Sequence, residues 1–567
     1  RMIKGVSSRA PLIIRINLVF LALFLFMYAV FFPPLYPSRL HFRAASLVIC
    51  SFRECRPPPK VSGASGEAKG ELIKRRMPSF LRGSGMRIAT VNMEGEDMSG
   101  WKGYGETVAL TFERVSELLQ WKDVFPEWID EEEEFSGPEC PEIPMPDWEA
   151  EFGGVDMVVA KLPCKRPRPG WERDVFRLQV HLAAANAAVR WGRRDRGGRM
   201  KMVFLSHCEP MMDFFRCDEM AERDGYWSLY SPEMERLRRK VGFPVGSCDL
   251  ALPLWARGID RAYDLSGLEA PAGKSFADEA YATVLHSSDS YVCGAVALAQ
   301  SLLRTATRRR LLLLLDDSIS EPKRSALSRA GWTLRSIKRI RNPRAERGSY
   351  NEYNYSKLRL WQLTEYRKIV FIDSDIVVLQ NLDFLFRFPQ MSAAGNDGFV
   401  FNSGVMVIEP SRCVFRTLMR RRKDVVSYNG GDQGFLNEIF VWWHRLPRRA
   451  NFLKNFWSNS SVEAAFKNQM FRSEPPGLYA IHYLGVKPWD CYRDYDCNWD
   501  AAERRVYASD AAHARWWMVH DAMDEELQRA CGLTAQRVNQ LEWDRKVAGE
   551  LAFQDRHWSI NVTDPRK

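Results

Sequence analysis

The fold is decided by the stretch Ile369-Val370-Phe371-Ile372-Asp373-Ser374-Asp375. Four consecutive apolar residues are typical of a strand that is buried on both faces, as strands of parallel sheets are. Two carboxylates, one residue apart, follow the strand at once. Because ligands of open α/β sheets bind beyond the carboxyl ends of the strands, the stretch predicts a buried strand that delivers two acidic groups to a binding site.

Strands and helices alternate on both sides of this stretch. Apolar periodicity predicts strands at 281–285, 311–315 and 332–337, and helices at 291–303 and 355–366. Such βαβ alternation implies a parallel sheet with helices on both faces. A smaller α/β unit is expected earlier in the chain, with strands at 86–93, 155–162 and 202–205 and an Ala-rich helix at 175–189. Its role is not evident from the sequence.

The N-terminal region has the pattern of a membrane tether. Residues 12–32 are apolar except for Arg15 and Asn17, and basic residues cluster on their N-terminal side. The positive-inside bias predicts a cytosolic tail at 1–11, a transmembrane signal anchor at 12–32 and a lumenal stem at 33–85. A cleaved signal peptide is the rival interpretation, but no convincing small-x-small cleavage site follows the apolar run.

Composition limits the partners. A net charge of +10 and a pI near 9.0 favour anionic partners, yet the motifs and aromatic-interleaved basic stripes of nucleic-acid binders are absent. Acidic substrates or membrane surfaces fit at least as well.

Twelve cysteines could form disulfides in a lumenal protein, and Cys491 and Cys497 are close enough to pair, although two unpaired thiols fit the spacing equally. Glycosylation sequons occur at Asn354, Asn459 and Asn561.

A second motif completes the chemistry about a hundred residues after the acidic pair. It reads His482-Tyr483-Leu484-Gly485-Val486-Lys487-Pro488-Trp489. Asp373, Asp375 and His482 can share one divalent cation, and the imidazole favours Mn²⁺ over Mg²⁺. A hard cation offsets the charge that grows on a diphosphate leaving group, and Lys487 is placed to meet the same phosphates. No Walker loop or Gly-x-Gly-x-x-Gly occurs, so a phosphate-binding glycine loop is not expected. The acidic pair and the histidine motif instead predict a nucleotide-sugar whose diphosphate is bound through the metal.

The chain from about residue 280 to its end resembles glycosyltransferase family 8, the group that includes glycogenin. The resemblance is strongest to the plant glycogenin-like branch and, within it, to the glucuronyltransferases that substitute xylan. It rests on the segments 353–361, 401–406, 430–434, 490–499 and 515–521.

This resemblance implies a GT-A fold, retention of anomeric configuration and specific roles for matching residues. The implied GT-A domain covers 276–525, the α/β unit of unknown role covers 86–270, and a C-terminal extension covers 526–567. Uridine would be held by Leu285, Ser287 and Tyr291, and the donor phosphates by Lys357, Gly485 and Lys487. The sugar would lie against Asn402, Ser403 and Gly404, with Asp432 and Gln433 near the anomeric carbon. The metal would be bound by Asp373, Asp375 and His482.

Simpler interpretations stay open at several of these positions. Tyr291 could be an aromatic that caps a helix, residues 402–404 could be a turn before a strand at 405–408, and Asp432-Gln433 could be an exposed loop. Asp432 could be a nucleophile in a double displacement, or Gln433 could stabilise an oxocarbenium-like species during front-face attack. We favour front-face attack assisted by the leaving phosphate.

Features outside the matched motifs bear on the substrates. Asn429 stands where glycogenin carries an acidic residue, so self-glucosylation is not expected, and a donor sugar that bears a carboxylate is better tolerated. Arg341, Arg344 and Arg347 are candidate partners for that carboxylate. One or two tryptophans should face a polysaccharide acceptor, among Trp442, Trp443, Trp457, Trp489, Trp499, Trp516 and Trp517.

The sequence thus predicts a Golgi type II membrane glucuronyltransferase of plant cell-wall biogenesis. It would transfer glucuronic acid from UDP-glucuronate to xylan with Mn²⁺, with other wall-polysaccharide synthases as candidate partners and no nucleic acid. One alternative keeps the fold and uses UDP-glucose with a glucan or protein primer, or UDP-galactose with a small polyol. Another is a catalytically silent polysaccharide-binding scaffold.

Overall fold

The computed structural model describes residues 85–124, 143–149, 153–164, 170–243, 276–397, 399–456 and 461–566. The predicted cytosolic tail, membrane anchor and stem lie outside these residues, apart from Gly85 at the end of the stem. Asn459 and Trp457 lie outside them as well. Within the described ranges, no helix combines the length and apolar character needed to cross a membrane.

The first of two large sheets has six strands and confirms the predicted α/β pattern of this region. Its strands are β1 Met86–Val91, β2 Gly105–Leu110, β3 Met157–Lys161, β4 Lys201–Leu205, β5 Met220–Asp224 and β6 Trp227–Tyr230. They lie in the order β2-β1-β3-β4-β6-β5, parallel from β2 to β4 and antiparallel beyond. Its helices are α1 Glu96–Ser99, α2 Trp121–Val124, α3 Val175–Trp191 and α4 Met234–Gly242.

The second sheet contains the strand that decides the fold. Its strands are β7 Glu279–Leu285, β8 Arg310–Leu315, β9 Thr333–Ser336, β10 Lys368–Ile372, β12 Ser392–Asp397, β13 Val400–Ile408 and β14 His444–Arg445. They lie in the order β14-β12-β13-β10-β7-β8-β9. The run from β10 to β9 is parallel as predicted, but β13 is antiparallel to both β10 and β12. The sheet is therefore mixed: the prediction of parallel pairing is confirmed for β7, β8, β9 and β10, and the antiparallel strand β13 was not foreseen.

A small third sheet and eight helices complete this half of the chain. The small sheet consists of β11 Ile376–Val378, β15 Phe452–Leu453 and β16 Ala480–His482. The helices are α5 Val292–Arg304, α6 Glu321–Arg329, α7 Arg412–Arg421, α8 Asp432–Ile439, α9 Ser461–Arg472, α10 Asp510–Asp521, α11 Glu525–Arg529 and α12 Ala535–Glu550. The helix predicted at 355–366 is a 3₁₀ helix, Asn354–Gln362.

The two large sheets share one hydrophobic core. Trp442 is fully buried and lies with its ring centroid 5.7 Å from Phe214 and 6.4 Å from Trp121, both in the first half of the chain. Four disulfides tie the described chain, among them the predicted pair between Cys491 and Cys497. The four pairs are Cys164–Cys208, Cys217–Cys413, Cys293–Cys531 and Cys491–Cys497. The second of these joins the two halves covalently.

Candidate active site

Strand register brings the three predicted metal ligands together. Asp373 follows the end of β10, and Asp375 directly precedes β11. Strand β16 pairs antiparallel to β11 with Ile376 opposite His482, so the imidazole arrives beside the two carboxylates. One ligand atom from each side chain lies within 4.8 Å of the other two, and His482 Nε2 is 3.4 Å from Asp375 Oδ1. Two oxygens and one imidazole nitrogen at this spacing fit a single hard or borderline divalent cation.

A chain of side-chain amides sets the tautomer of His482. The backbone N–H of Gly404 donates to Asn402 Oδ1 at 2.8 Å, which fixes that oxygen as an acceptor. Asn451 Nδ2 donates to the same oxygen at 2.9 Å, so Asn451 Oδ1 accepts the hydrogen of His482 Nδ1 at 3.0 Å. The lone pair of His482 therefore resides on Nε2, the atom that faces Asp375. Metal-binding histidines are commonly oriented by a second hydrogen bond of this kind.

Gly404 makes room for the imidazole. A Cβ atom at this position would lie 2.6 Å from His482 Cε1, closer than carbon atoms approach without displacement. The carbonyl oxygen of Gly404 also accepts the N–H of Asp373 at 2.8 Å. Residues 402–404 lie within strand β13, so the interpretation of this segment as a turn was wrong. The strand contributes the floor under the metal ligands.

Two lysines balance the carboxylates of the site. Lys487 Nζ donates to Asp375 Oδ2 at 2.7 Å, from a chain reversal at Gly485, whose φ is +76°. Lys357 Nζ lies 2.7 Å from Asp432 Oδ2 and 3.3 Å from Asp373 Oδ1. Both lysines therefore lie where the predicted donor phosphates would approach the metal.

Burial and charge shift the pKa values of these groups in opposite directions. Burial raises the pKa of Asp373 to about 6, although the Lys357 ammonium works against it. Burial also acts to raise the pKa of Asp375, but Lys487 and His482 outweigh it and hold that pKa well below its ordinary value. For Lys357, burial favours the neutral amine, yet Asp373 and Asp432 raise its pKa overall. The ammonium is therefore retained at neutral pH.

A cavity of about 440 Å³ opens over these groups. Its volume suits a small-molecule ligand. It is lined by nine of the predicted site residues, namely Leu285, Ser287, Tyr291, Lys357, Asp373, Asp375, Ser403, Asp432 and Gln433. Asp432 and Gln433 begin helix α8, so the interpretation of this pair as an exposed loop was wrong. Tyr291 ends a short 3₁₀ helix and its ring meets Trp489 edge-on at 5.8 Å.

Several cavity residues were missed by the sequence reasoning. They come from the segments 286–290 and 348–354, and they include His286, Tyr350, Asn351 and Asn354, whereas Asn429, which also lines the cavity, was singled out from the sequence. The sequon at Asn354 falls on this half-buried cavity wall. The sequon at Asn561 is exposed. No recognisable motif marks residues 348–352, and Asn451 likewise carries no signal in the sequence.

Other predicted residues lie away from the cavity. Among the described residues that line it there is no arginine: Arg341 pairs with Glu352 at 2.9 Å, and Arg344 donates to a backbone carbonyl at 3.1 Å. Most of the candidate tryptophans belong to the core, namely Trp442, Trp443, Trp489, Trp516 and Trp517. Trp499 instead lines a separate cleft beside α9.

Comparison with known proteins agrees with this site. Residues 70–248 match the GUX1-5 N-terminal domain, and residues 282–396 match glycosyl transferase family 8. The chain is 56% identical to UDP-glucuronate:xylan alpha-glucuronosyltransferase 2 of Arabidopsis thaliana over 100% of this chain and 98% of that protein. It is 46% identical to UDP-glucuronate:xylan alpha-glucuronosyltransferase 1 of the same plant over 85% of this chain and 72% of that one.

Solved structures give a weaker likeness. The galactosyltransferase LgtC, in complex with donor and acceptor sugar analogs, is 18% identical with a TM-score of 0.31, over 44% of this chain and 99% of that one. This similarity carries no argument about the reaction. The full-length identity to the Arabidopsis proteins and the family match around the acidic pair do. The chain is a glycosyltransferase that belongs to family 8, in the branch of the xylan alpha-glucuronosyltransferases.

Proposed function

We propose that this enzyme transfers glucuronic acid from UDP-glucuronate to xylan with retention of configuration. The observation that carries the proposal is the convergence of Asp373, Asp375 and His482 on one point of a cavity that also holds Lys357 and Asp432. The donor and the acceptor are taken from the names of two relatives, one that matches 100% of this chain and one that matches 85% of it. The second candidate function is transfer of glucose from UDP-glucose to another acceptor, and the donor competition described below tests it as well.

The metal site and the lysines would hold the donor diphosphate. Asp373, Asp375 and the Nε2 atom of His482 would bind Mn²⁺, or Mg²⁺ in its place. A bound cation supplies electrostatic stabilisation of the departing UDP. Lys357 is positioned by two carboxylates, and its ammonium has a third hydrogen that it can donate to a phosphate oxygen while it keeps the ion pair with Asp432.

The contacts of Asp432 favour front-face attack. Its Oδ2 atom accepts from Lys357 Nζ at 2.7 Å and from the Ser403 hydroxyl at 3.0 Å. A carboxylate oxygen that is ion-paired and hydrogen-bonded is a weak nucleophile, because those donors must be given up as the bond to carbon forms. Gln433 accepts from Ser403 N at 3.1 Å and donates to the Tyr428 hydroxyl at 2.7 Å, so its amide is held in one orientation and would lie beside the sugar. The pair would then stabilise positive charge on the ring while the acceptor attacks.

The enzyme would act in the Golgi lumen as a type II membrane protein, anchored by residues 12–32. Four cysteine pairs in the described chain support an oxidising compartment. Glycosylation of Asn561, which is exposed, would report a lumenal catalytic half. The test is expression in plant cells, followed by protease treatment of the intact membrane fraction. An unmodified Asn561 together with digestion of the catalytic half by the protease would contradict this orientation.

Donor competition tests the reaction. The full-length enzyme is incubated with Mn²⁺ and xylo-oligosaccharides, with UDP-glucuronate, UDP-glucose, UDP-galactose or UDP-galacturonate, and products are weighed by mass spectrometry. We expect transfer from UDP-glucuronate that is lost in Asp375→Asn and kept in Glu222→Gln, which makes the same chemical change at an exposed site of β5. Transfer from another donor would overturn the assignment of the sugar. No turnover with any donor would favour the scaffold.

A further inference from the structure

Asn429 is held in one orientation at the edge of the cavity. Its amide oxygen accepts three hydrogen bonds, from the Ser427 hydroxyl at 2.9 Å, from Gly431 N at 3.0 Å and from Gly434 N at 3.1 Å. Two of these donors are backbone N–H groups, which cannot point at an NH₂ group. The position of the oxygen is therefore determined by the chain and not by a choice between two amide orientations.

This orientation leaves the NH₂ group of Asn429 available to a ligand. Within the part of the chain that the structure describes, Nδ2 has no hydrogen-bond partner, and Asn429 is an exposed lining residue of the cavity. Asn351, on the facing segment, resembles it: its Oδ1 accepts from Asn354 Nδ2 at 2.9 Å, and its own Nδ2 has no partner among the described residues. Both amides lie beside Gly431, where a Cβ atom would be 3.2 Å from Asn351 Oδ1 and 3.6 Å from Asn429 Oδ1, and their NH₂ groups have no hydrogen-bond partner among the described residues.

The local structure would favour an anion where the chain has this amide. Gly431 and Gly434 lie at the N-terminus of α8, where the backbone N–H groups and the helix dipole stabilise a carboxylate. An aspartate has almost the same shape and would accept the same three hydrogen bonds. Its second oxygen would then occupy the position of Nδ2 and turn a hydrogen-bond donor into a negatively charged acceptor.

The remaining charges of the cavity explain why that exchange would matter. Three carboxylates line it, from Asp373, Asp375 and Asp432, and two lysines balance them: Lys357 in the lining and Lys487, which pairs with Asp375 at 2.7 Å. A donor sugar with a carboxylate at C6 adds one more negative charge. In the absence of an arginine among the described lining residues, a neutral donor such as an amide NH₂ group is the partner that this sugar can find at the wall away from the metal.

We propose that Asn429 is a specificity-determining residue that donates a hydrogen bond from Nδ2 to the carboxylate of the donor sugar, with Asn351 as a second donor. The inference rests on the proposed function, because it concerns which UDP-sugar the same site accepts. The NH₂ group of Asn429 attracts the sugar carboxylate. An asparagine at this position also avoids the fourth carboxylate that an aspartate would add to the cavity.

The test is the near-isosteric variant Asn429→Asp in the full-length enzyme. The ratio of kcat/KM for UDP-glucuronate to kcat/KM for UDP-glucose is measured with xylo-oligosaccharide acceptor. We expect this ratio to fall about tenfold or more, since a like charge opposes only the acidic sugar. UDP affinity in the presence of Mn²⁺ should stay within about twofold of wild type, because UDP lacks the transferred sugar that would reach position 429. Asn539→Asp, an exposed site on α12, makes the same chemical change and should leave the ratio unchanged.

The outcomes separate this inference from the proposed function. A wild-type enzyme that does not use UDP-glucuronate refutes the proposed donor. A wild-type enzyme that uses it, together with an Asn429→Asp variant that binds UDP normally and keeps the wild-type ratio, refutes the role of Asn429. A variant that loses both donors equally while binding UDP also refutes it, because the residue would then serve the site in general.

Discussion

Replacing Asn451 by leucine should weaken metal binding without touching a metal ligand. The side chain is 2% exposed, and its oxygen accepts from Nδ1 of the 6% exposed His482. Leucine is similar in size but offers neither the acceptor for the imidazole nor the donor for Asn402. The imidazole would then be free to rotate or to carry its hydrogen on Nε2, the atom that must bind the metal.

The size of the effect follows from this single contact. Loss of a hydrogen-bond partner of a metal-binding histidine typically costs about 10- to 100-fold in metal affinity, which corresponds to about 1.4 to 2.8 kcal/mol. The His482 Nδ1 hydrogen left without an acceptor should also lower the free energy of unfolding by about 1 to 3 kcal/mol. The three ligands themselves remain, so the site is weakened and not abolished.

The assay is the Mn²⁺ dependence of turnover, supported by calorimetric titration of the metal. The half-saturating Mn²⁺ concentration should rise about 10- to 100-fold for Asn451→Leu. Turnover at saturating Mn²⁺ should recover to within a few-fold of wild type. Asn186→Leu is the control, since Asn186 is half-buried on α3 in the first half of the chain. A folded Asn451→Leu enzyme with unchanged Mn²⁺ dependence, or one that no Mn²⁺ concentration rescues, would refute the reasoning.

Three further predictions concern other parts of the molecule. Gly404→Ala should abolish most turnover, because the added Cβ would meet His482 Cε1 at 2.6 Å; near-normal Mn²⁺ binding by calorimetry would contradict this. Asp432→Asn should lower kcat about a hundredfold while products keep the α-configuration by NMR; a trapped glycosyl–Asp432 adduct in the wild type would instead establish double displacement. Burial lowers the pKa of His181 to about 3, below its ordinary 6.5, so the fold excludes the protonated imidazole. The contribution of the neutral His181 to the free energy of unfolding is present above pH 6.5 and is lost below it, by about 1 kcal/mol between pH 6.5 and 5.5. The free energy of unfolding of His181→Gln, measured by denaturant titration, should lack this dependence on pH.

The secondary structure of the catalytic half could be predicted because its strands are continuous apolar runs. Residues 369–372 can be accommodated only as a buried strand, and the acidic pair after them marks the edge where ligands bind. The antiparallel direction of β13 could not be predicted, since an apolar run carries no sign of which way its neighbour points. The same holds for β16, whose pairing with β11 brings His482 to the carboxylates.

The candidate site was predictable where a motif marks it and not elsewhere. Asp373, Asp375 and His482 were found because aspartate and histidine are common metal ligands, so their residue types mark them as candidates wherever the fold places them. Asn451, Asn351 and Tyr350 were missed because an isolated amide or phenol in a loop has no distinguishing spacing. The pairing of Cys293 with Cys531 spans 238 residues, and no local pattern indicates it, whereas the six-residue separation of Cys491 and Cys497 allowed a disulfide without distinguishing it from two free thiols.

The burial of Trp442 between the two sheets has a practical consequence. A fragment that starts at β7 would leave this indole without Phe214 and Trp121, and would leave Cys413 without its partner Cys217. The halves are thus not interchangeable modules but one cooperative unit, and heat or denaturant should melt them in a single transition. Secretion of the catalytic half alone would yield an aggregating fragment with one unpaired cysteine, Cys413, so expression for crystallisation should begin before β1.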